Sequence, residues 1–173
     1  WFDQGKQGPR YCVQDDDSPV VGAKGRSGLS PRNFMGSTVG DELKNAGYSS
    51  RIVTVALKDR SAILLGGHRA DLALWLDGPS VSWVSSRHYL RDDRLPGWVS
   101  ELNRETSARK GATYIWRPQG KATGLSLGTG DFQHTFQIGS RESFAAPIGI
   151  ELTVQAAERA LDALKLGRGK ATD

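Results

Sequence analysis

Lys58 and Arg60 flank a single residue, Asp59, at the end of the apolar run Arg51-Ile52-Val53-Thr54-Val55-Ala56-Leu57. On an extended chain, side chains two apart point the same way, so the two cations can converge on one anion. Lysine brings a compact charge, and arginine a planar fork that can hold two oxygens of a phosphate at once. Open α/β sheets place their ligand crevices at the C-terminal ends of strands, which is where this pair falls. Spacing alone leaves a second reading open, in which Lys58-Asp59-Arg60 is a solvated triplet that closes a strand.

The other residues able to do chemistry are scattered. His68, His88 and His134 are isolated from one another and form no HxxxH-type cluster, so they read as packing or surface histidines. Cys12 is the single cysteine, which excludes an intrachain disulfide, and no CxxC or Cys/His spacing suggests a structural zinc site. Asp15-Asp16-Asp17 lacks the alternate ligands and the glycine of a calcium loop, and reads as a solvated acidic turn. Ser37-Thr38 falls inside a predicted helix with no base in view. The glycines from 124 to 130 match neither a P-loop nor a dinucleotide fingerprint.

Several elements must hold the Lys/Arg pair. Ser30 as N-cap, Pro31 at the first helical position and Gly47 at the end predict a helix, with Met35, Val39 and Leu43 as its buried stripe. The β-branched run 51–57 predicts a strand buried on both faces, as in a parallel sheet. Residues 61–65 then form a short apolar turn closed by Gly66-Gly67. Residues 72–84 predict a β-hairpin about Asp77-Gly78-Pro79, with Trp75 and Trp83 in a cap outside the central sheet. A helix follows from Pro96 with Trp98, Val99 and Leu102. Tyr114-Ile115-Trp116 is a brief strand ended by Pro118, and 119–146 is loop. The last helix opens at Pro147, closes at Gly167 and carries Ile150, Val154, Ala157, Leu161 and Leu164 on one face. Residues 1–29 read as irregular surface chain in which 10–13 can form a short strand.

A length of 173 residues suits one domain with a real core, and an apolar share of 38% with five tryptophans suits a folded one. The formal charge of +4 is spread along the chain rather than gathered in a stripe, so a nucleic-acid partner is not expected. No apolar stretch is long enough to span a bilayer, so no membrane partner is expected either. A start at Trp1 and a stop after Lys170-Ala171-Thr172-Asp173 read as cuts through a longer protein.

In chain order, distinctive segments are Trp1-Phe2-Asp3, Tyr11-Cys12-Val13, Ser30-Pro31-Arg32-Asn33, and Ser37-Thr38-Val39-Gly40-Asp41-Glu42-Leu43-Lys44. They continue with Val55-Ala56-Leu57-Lys58-Asp59-Arg60-Ser61-Ala62-Ile63-Leu64, Gly67-His68-Arg69-Ala70-Asp71 and Trp75-Leu76-Asp77. The series ends with Pro147-Ile148-Gly149-Ile150-Glu151-Leu152 and Leu166-Gly167-Arg168-Gly169-Lys170-Ala171-Thr172-Asp173. Together they resemble the bacterial single-chain alkaline phosphatases related to type I phosphodiesterases and nucleotide pyrophosphatases.

That resemblance implies an α/β fold: an alkaline-phosphatase-like core of helix and parallel strand, with a cap-like α+β insertion over residues 66–147. It implies a periplasmic or secreted enzyme with two zinc ions, a threonine nucleophile and a Lys/Arg pair that grips the phosphoryl oxygens. Only Lys58 and Arg60 carry over, as catalytic and substrate-binding residues. The nucleophile and zinc ligands are expected outside this chain, which then binds no zinc and needs the rest of the parent protein to work. A dedicated cation pair suits a phosphate monoester, which has one more charged oxygen than a diester. The alternatives are a piece of a phosphodiesterase or nucleotide pyrophosphatase, and a non-catalytic module that binds an anion or partner through the same pair.

Overall fold

The computed structural model describes residues 2–3, 8–117 and 133–168. Two short strands, β1 (Phe2–Asp3) and β2 (Gly8–Pro9), pair antiparallel near the start. Residues 10–13 form no strand; Gln14 bridges to Leu29, and β3 (Val20–Val21) follows. This region is not merely surface chain, because Val13 and Leu29 are buried. Its organiser is Asp15, read from sequence as part of a solvated turn but only 5% exposed. The Asp15 carboxylate accepts from Ser18 Oγ at 2.9 Å, Ser30 Oγ at 2.6 Å and Arg32 Nη1 at 3.1 Å.

The first helix does not begin at Ser30: the Ser30 hydroxyl donates to Asp15 and accepts from the Arg32 N–H at 3.1 Å, and the chain makes only a turn there. A complete capping box at Thr38 and Asp41 opens the helix instead, and it spans only Val39–Asn45 (α1). Thr38 is therefore its cap rather than a residue within it. The expected buried stripe is absent at its start, with Met35 95% and Val39 80% exposed.

The strand β4 (Val53–Ala56) pairs in parallel with β5 (Leu72–Asp77), in the register Val53↔Leu72 to Ala56↔Trp75. The crossover between them contains α2 (Asp59–Gly66), where the sequence alone suggests only a turn. A hairpin then leads β5 into β6 (Ser82–Ser86), and β3 closes the far edge, giving the order β3-β6-β5-β4. The Trp75 and Trp83 hairpin thus lies directly beside β4, and its expected place in a cap is corrected. All six residues of β5 are buried, because it is the strand covered on both faces, whereas β4 stands at the edge and is mostly half-buried.

Side-chain alternation along β5 divides the core in two. Leu72, Leu74 and Leu76 join Trp83, Val99, Leu102, Ile148 and Leu152 on one face. Ala73 and Trp75 join Val13, Ala62, Ile63 and Tyr89 on the other. The first face is covered by α3 (Gly97–Ala108) and α4 (Pro147–Leu164). Between these helices β7 (Thr113–Trp116) pairs with β8 (His134–Gln137), so the stretch expected as loop contains a strand as well as a short 3-10 turn at Ser143–Ala145. Pro118 and the glycines from 124 to 130 lie outside the described residues. Pro147 opens α4 as expected, but its buried face is Ile148, Leu152, Ala156 and Ala160. Ile150, Val154 and Leu161 are 68%, 50% and 50% exposed, so the face expected inside points outward.

Candidate anion-binding site at the strand ends

The C-terminal ends of β4 and β5 lie side by side, and a cleft of about 630 Å³ opens over them. Lys58 and Arg60 both line it, together with Tyr11, Arg26, Trp75 and Asp77. The two cations arrive there differently from the strand alternation expected. Lys58 is extended, with φ −111° and ψ 138°, and acts as the N-cap residue of α2, while Arg60 already lies within the helix. A strand-to-helix turn brings them to one cleft. The turn is secured by the Lys58 carbonyl, which accepts from the backbone N–H groups of Ser61 and Ala62, each at 3.1 Å.

Neither the Lys58 ammonium nor the Arg60 guanidinium pairs with a carboxylate among the described residues, and both residues are exposed. The nearest candidate, Asp59, is otherwise engaged: it accepts from the Tyr11 hydroxyl and from the Arg60 backbone N–H. Burial, and next this hydrogen bond, push the Tyr11 phenol up, so it stays a donor. Across the cleft Arg26 Nε meets Asp77 Oδ1 at 2.6 Å. Burial would raise the Asp77 carboxyl, but Arg26 and two hydrogen bonds from Ser80 outweigh it and hold it below its ordinary value. Arg26 and Asp77 neutralise each other, which leaves the lip at Lys58 and Arg60 positive.

Sequence reasoning did not single out Tyr11 or the Arg26–Asp77 pair as site residues, because each contact joins residues roughly fifty positions apart. The histidines take no part in the cleft. His68 Nε2 meets the Phe34 carbonyl at 2.8 Å, His88 Nε2 meets the His68 carbonyl at 3.2 Å, and His134 stacks between Trp116 and Phe136. Thr38 caps α1 through its hydroxyl, which accepts from Asp41 N.

The sequence matches no family model. Alkaline phosphatase PhoV of Synechococcus elongatus is 33% identical over all of this chain, and the match spans 35% of PhoV. A protein of Myroides odoratus named calcium-transporting ATPase is 33% identical over 91% of the chain and 32% of its own length. In solved structures the chain superposes on alkaline phosphatase PafA with a TM-score of 0.76 and 27% identity, covering all of this chain and 37% of PafA. A second PafA structure, with a TM-score of 0.71, is of a variant in which a threonine, an asparagine, a lysine and the arginine two positions beyond it are replaced.

In sequence and in fold, then, this chain matches a segment of the bacterial alkaline phosphatases. It spans about a third of the relatives it matches. Alkaline phosphatases generally use metal ions. Among the described residues, however, no group of three or more His, Cys, Asp or Glu side chains could hold one, so the donor set here does not fit a metal centre.

Proposed function

We propose that this chain is the phosphoryl-gripping segment of a zinc-dependent phosphomonoester hydrolase, with Lys58 and Arg60 as the residues that hold the transferred group. The observation that carries the reading is the state of the pair. Two cations face one cleft at the ends of two parallel strands, and the acid between them is tied to Tyr11. Support also comes from the PafA variant, whose replaced lysine and arginine share the spacing of Lys58 and Arg60.

A monoester carries two charges on its non-bridging oxygens, and two fixed cations stabilise that charge as it redistributes during transfer. Cations held in place before the reaction need no reorganisation during it. A diester offers one charge fewer, and its second substituent would have to sit where the pair gathers oxygens. The zinc would be held by ligands outside the chain. The 173 residues alone would not turn over substrate, and the whole enzyme would work in the periplasm or outside the cell. The part of 66–147 that follows the hairpin would form the cap-like region.

The test is metal-dependent turnover by the full-length enzyme on matched phenyl mono- and diesters. Preference for the monoester, lost on chelation and restored by zinc, is the expected result, with no turnover by the 173-residue chain. Preference for the diester would favour the phosphodiesterase reading instead. The relative named a calcium-transporting ATPase favours one further reading, in which the gripped group is the terminal phosphoryl of a nucleoside triphosphate. ATP outcompeting simple monoesters would support it.

A further inference from the structure

A second cavity, of about 570 Å³, adjoins the cleft. Its floor is apolar, with Leu57, Leu76, Phe144 and Ala145, and Arg141 stands at its wall. Lys58 lines both cavities and so marks where they meet. The two also share Gly78, whose missing side chain matters: a Cβ there would lie 3.2 Å from Cε2 of Phe144, tighter than ordinary contact. Gly78 thus lets the Phe144 ring lie against the hairpin turn. Arg141 is exposed and pairs with no carboxylate among the described residues.

We infer that this second cavity receives the leaving group of the substrate, and that the preferred leaving group is an aromatic alcohol with a further negative charge directed to Arg141. The inference rests on the monoesterase reading above and specifies its substrate class. A phosphoryl group held at Lys58 has the Arg60 cleft on one side and an apolar chamber on the other. An aryl group gains from that chamber by burying its ring against Leu57, Leu76 and Phe144, where a small alkyl group fills little of the volume. A cavity of this size suits one small organic group, and a cation on the apolar wall, apart from Lys58 at the junction, can orient such a group. Arg141 gives the chamber a preference for anionic ring substituents through a charge-assisted hydrogen bond.

The experiment compares specificity constants of the full-length enzyme for methyl phosphate, phenyl phosphate and para-carboxyphenyl phosphate. The comparison is repeated in Phe144→Ala, Phe144→Leu and Arg141→Met. Ratios between variants cancel the intrinsic reactivity of each leaving group. Phe144→Ala is expected to lower the phenyl-to-methyl ratio about tenfold, the scale of a lost apolar contact in a binding pocket. Phe144→Leu keeps an apolar side chain and is expected to fall between Phe144→Ala and the parent. It carries the test if the alanine variant does not fold. Arg141→Met is expected to lower the carboxyphenyl-to-phenyl ratio about threefold, as suits an exposed charge pair. Unchanged ratios in an enzyme that hydrolyses monoesters would overturn this inference alone. Absence of monoester hydrolysis in the parent enzyme would overturn both it and the reading beneath it.

Discussion

The Tyr11 hydroxyl donates a hydrogen bond to the Asp59 carboxylate, joining the N-terminal segment to the first turn of α2 across 48 positions. This contact decides the charge of the cleft. Asp59 sits between two cations in sequence, and without Tyr11 its carboxylate could turn to pair with one of them. Tyr11→Phe is therefore expected to weaken the grip by freeing Asp59 to compete with substrate. We expect kcat/KM for a monoester to fall about three- to tenfold, the net scale of one ordinary hydrogen bond. Most of the loss should appear in KM, and Tyr11→Phe/Asp59→Asn should recover part of it. Steady-state kinetics of the single and double variants check this; a double variant worse than the single one would show that Asp59 acts otherwise.

Tyr11 and Tyr89 both tie stability to alkaline pH. Burial raises the Tyr89 phenol above its ordinary value near 10, with the charge of Asp41 adding to it, and its hydroxyl donates to the Gly67 carbonyl at 2.9 Å. A group whose folded pKa is raised contributes stability that is complete below the unfolded pKa and is lost as pH rises beyond it. The protein should accordingly hold its stability up to about pH 10 and lose it above. Tyr89→Phe should cost about 1 kcal/mol at pH 8 through the lost hydrogen bond, yet flatten the decline above pH 10. Thermal unfolding across pH 8–11.5 measures both; parallel curves for the two proteins would contradict the assignment.

Gly149 in α4 is where the backbone of that helix meets the residue before the Lys/Arg pair. A Cβ at this position would lie 2.6 Å from the Phe144 carbonyl oxygen and 2.8 Å from Cδ1 of Leu57. Gly149→Ala should therefore cost about 1–3 kcal/mol of stability by overpacking, and shift Leu57 at the junction of the two cavities. Gly97, in the first turn of α3, has nothing within 4 Å of the same atom. Gly97→Ala should stabilise by about 0.4–1 kcal/mol through the unfolded chain. Denaturant midpoints of the pair give the comparison.

Local signals in the sequence succeeded where they were also the decisive ones. The β-branched run before Lys58, the turn residues about Asp77-Gly78-Pro79, Pro96 before α3 and Pro147 at the start of α4 each specify their element without outside help. The failures have one physical source, a distant partner that outbids the local preference. Ser30 has the chemistry of an N-cap and does accept the Arg32 N–H, but its bond to the distant Asp15 holds it in a turn, and the helix is capped by Thr38 instead. In α4 two apolar stripes compete, and the smaller side chains of Ala156 and Ala160 face inward because α3 approaches there. The outward Ile150, Val154 and Leu161 form the stripe that periodicity alone selects. Continuous burial of β5 on both faces, rather than alternation, is what places the hairpin in the main sheet. The Lys/Arg pair was legible because both residues sit in one short segment. Tyr11, Arg26 and Asp77 were not, since only the fold brings them to it.

The central claim, that Lys58 and Arg60 hold the transferred phosphoryl group, is tested most directly by steady-state kinetics of Lys58→Ala, Arg60→Ala and the double variant. Each is assayed in the full-length enzyme on matched mono- and diesters, with metal content measured in every preparation. Arg60→Ala is expected to lower kcat/KM for the monoester by about two to three powers of ten, the scale of one preorganised electrostatic donor. Lys58→Ala should act in the same direction, and the double variant should fall short of the product of the two, because neighbouring groups on one anion are coupled. Diester turnover should suffer much less. Equal losses on both substrates, or a loss that follows metal content, would contradict the claim, and unchanged activity on both would return Lys58-Asp59-Arg60 to a solvated triplet at the end of a strand.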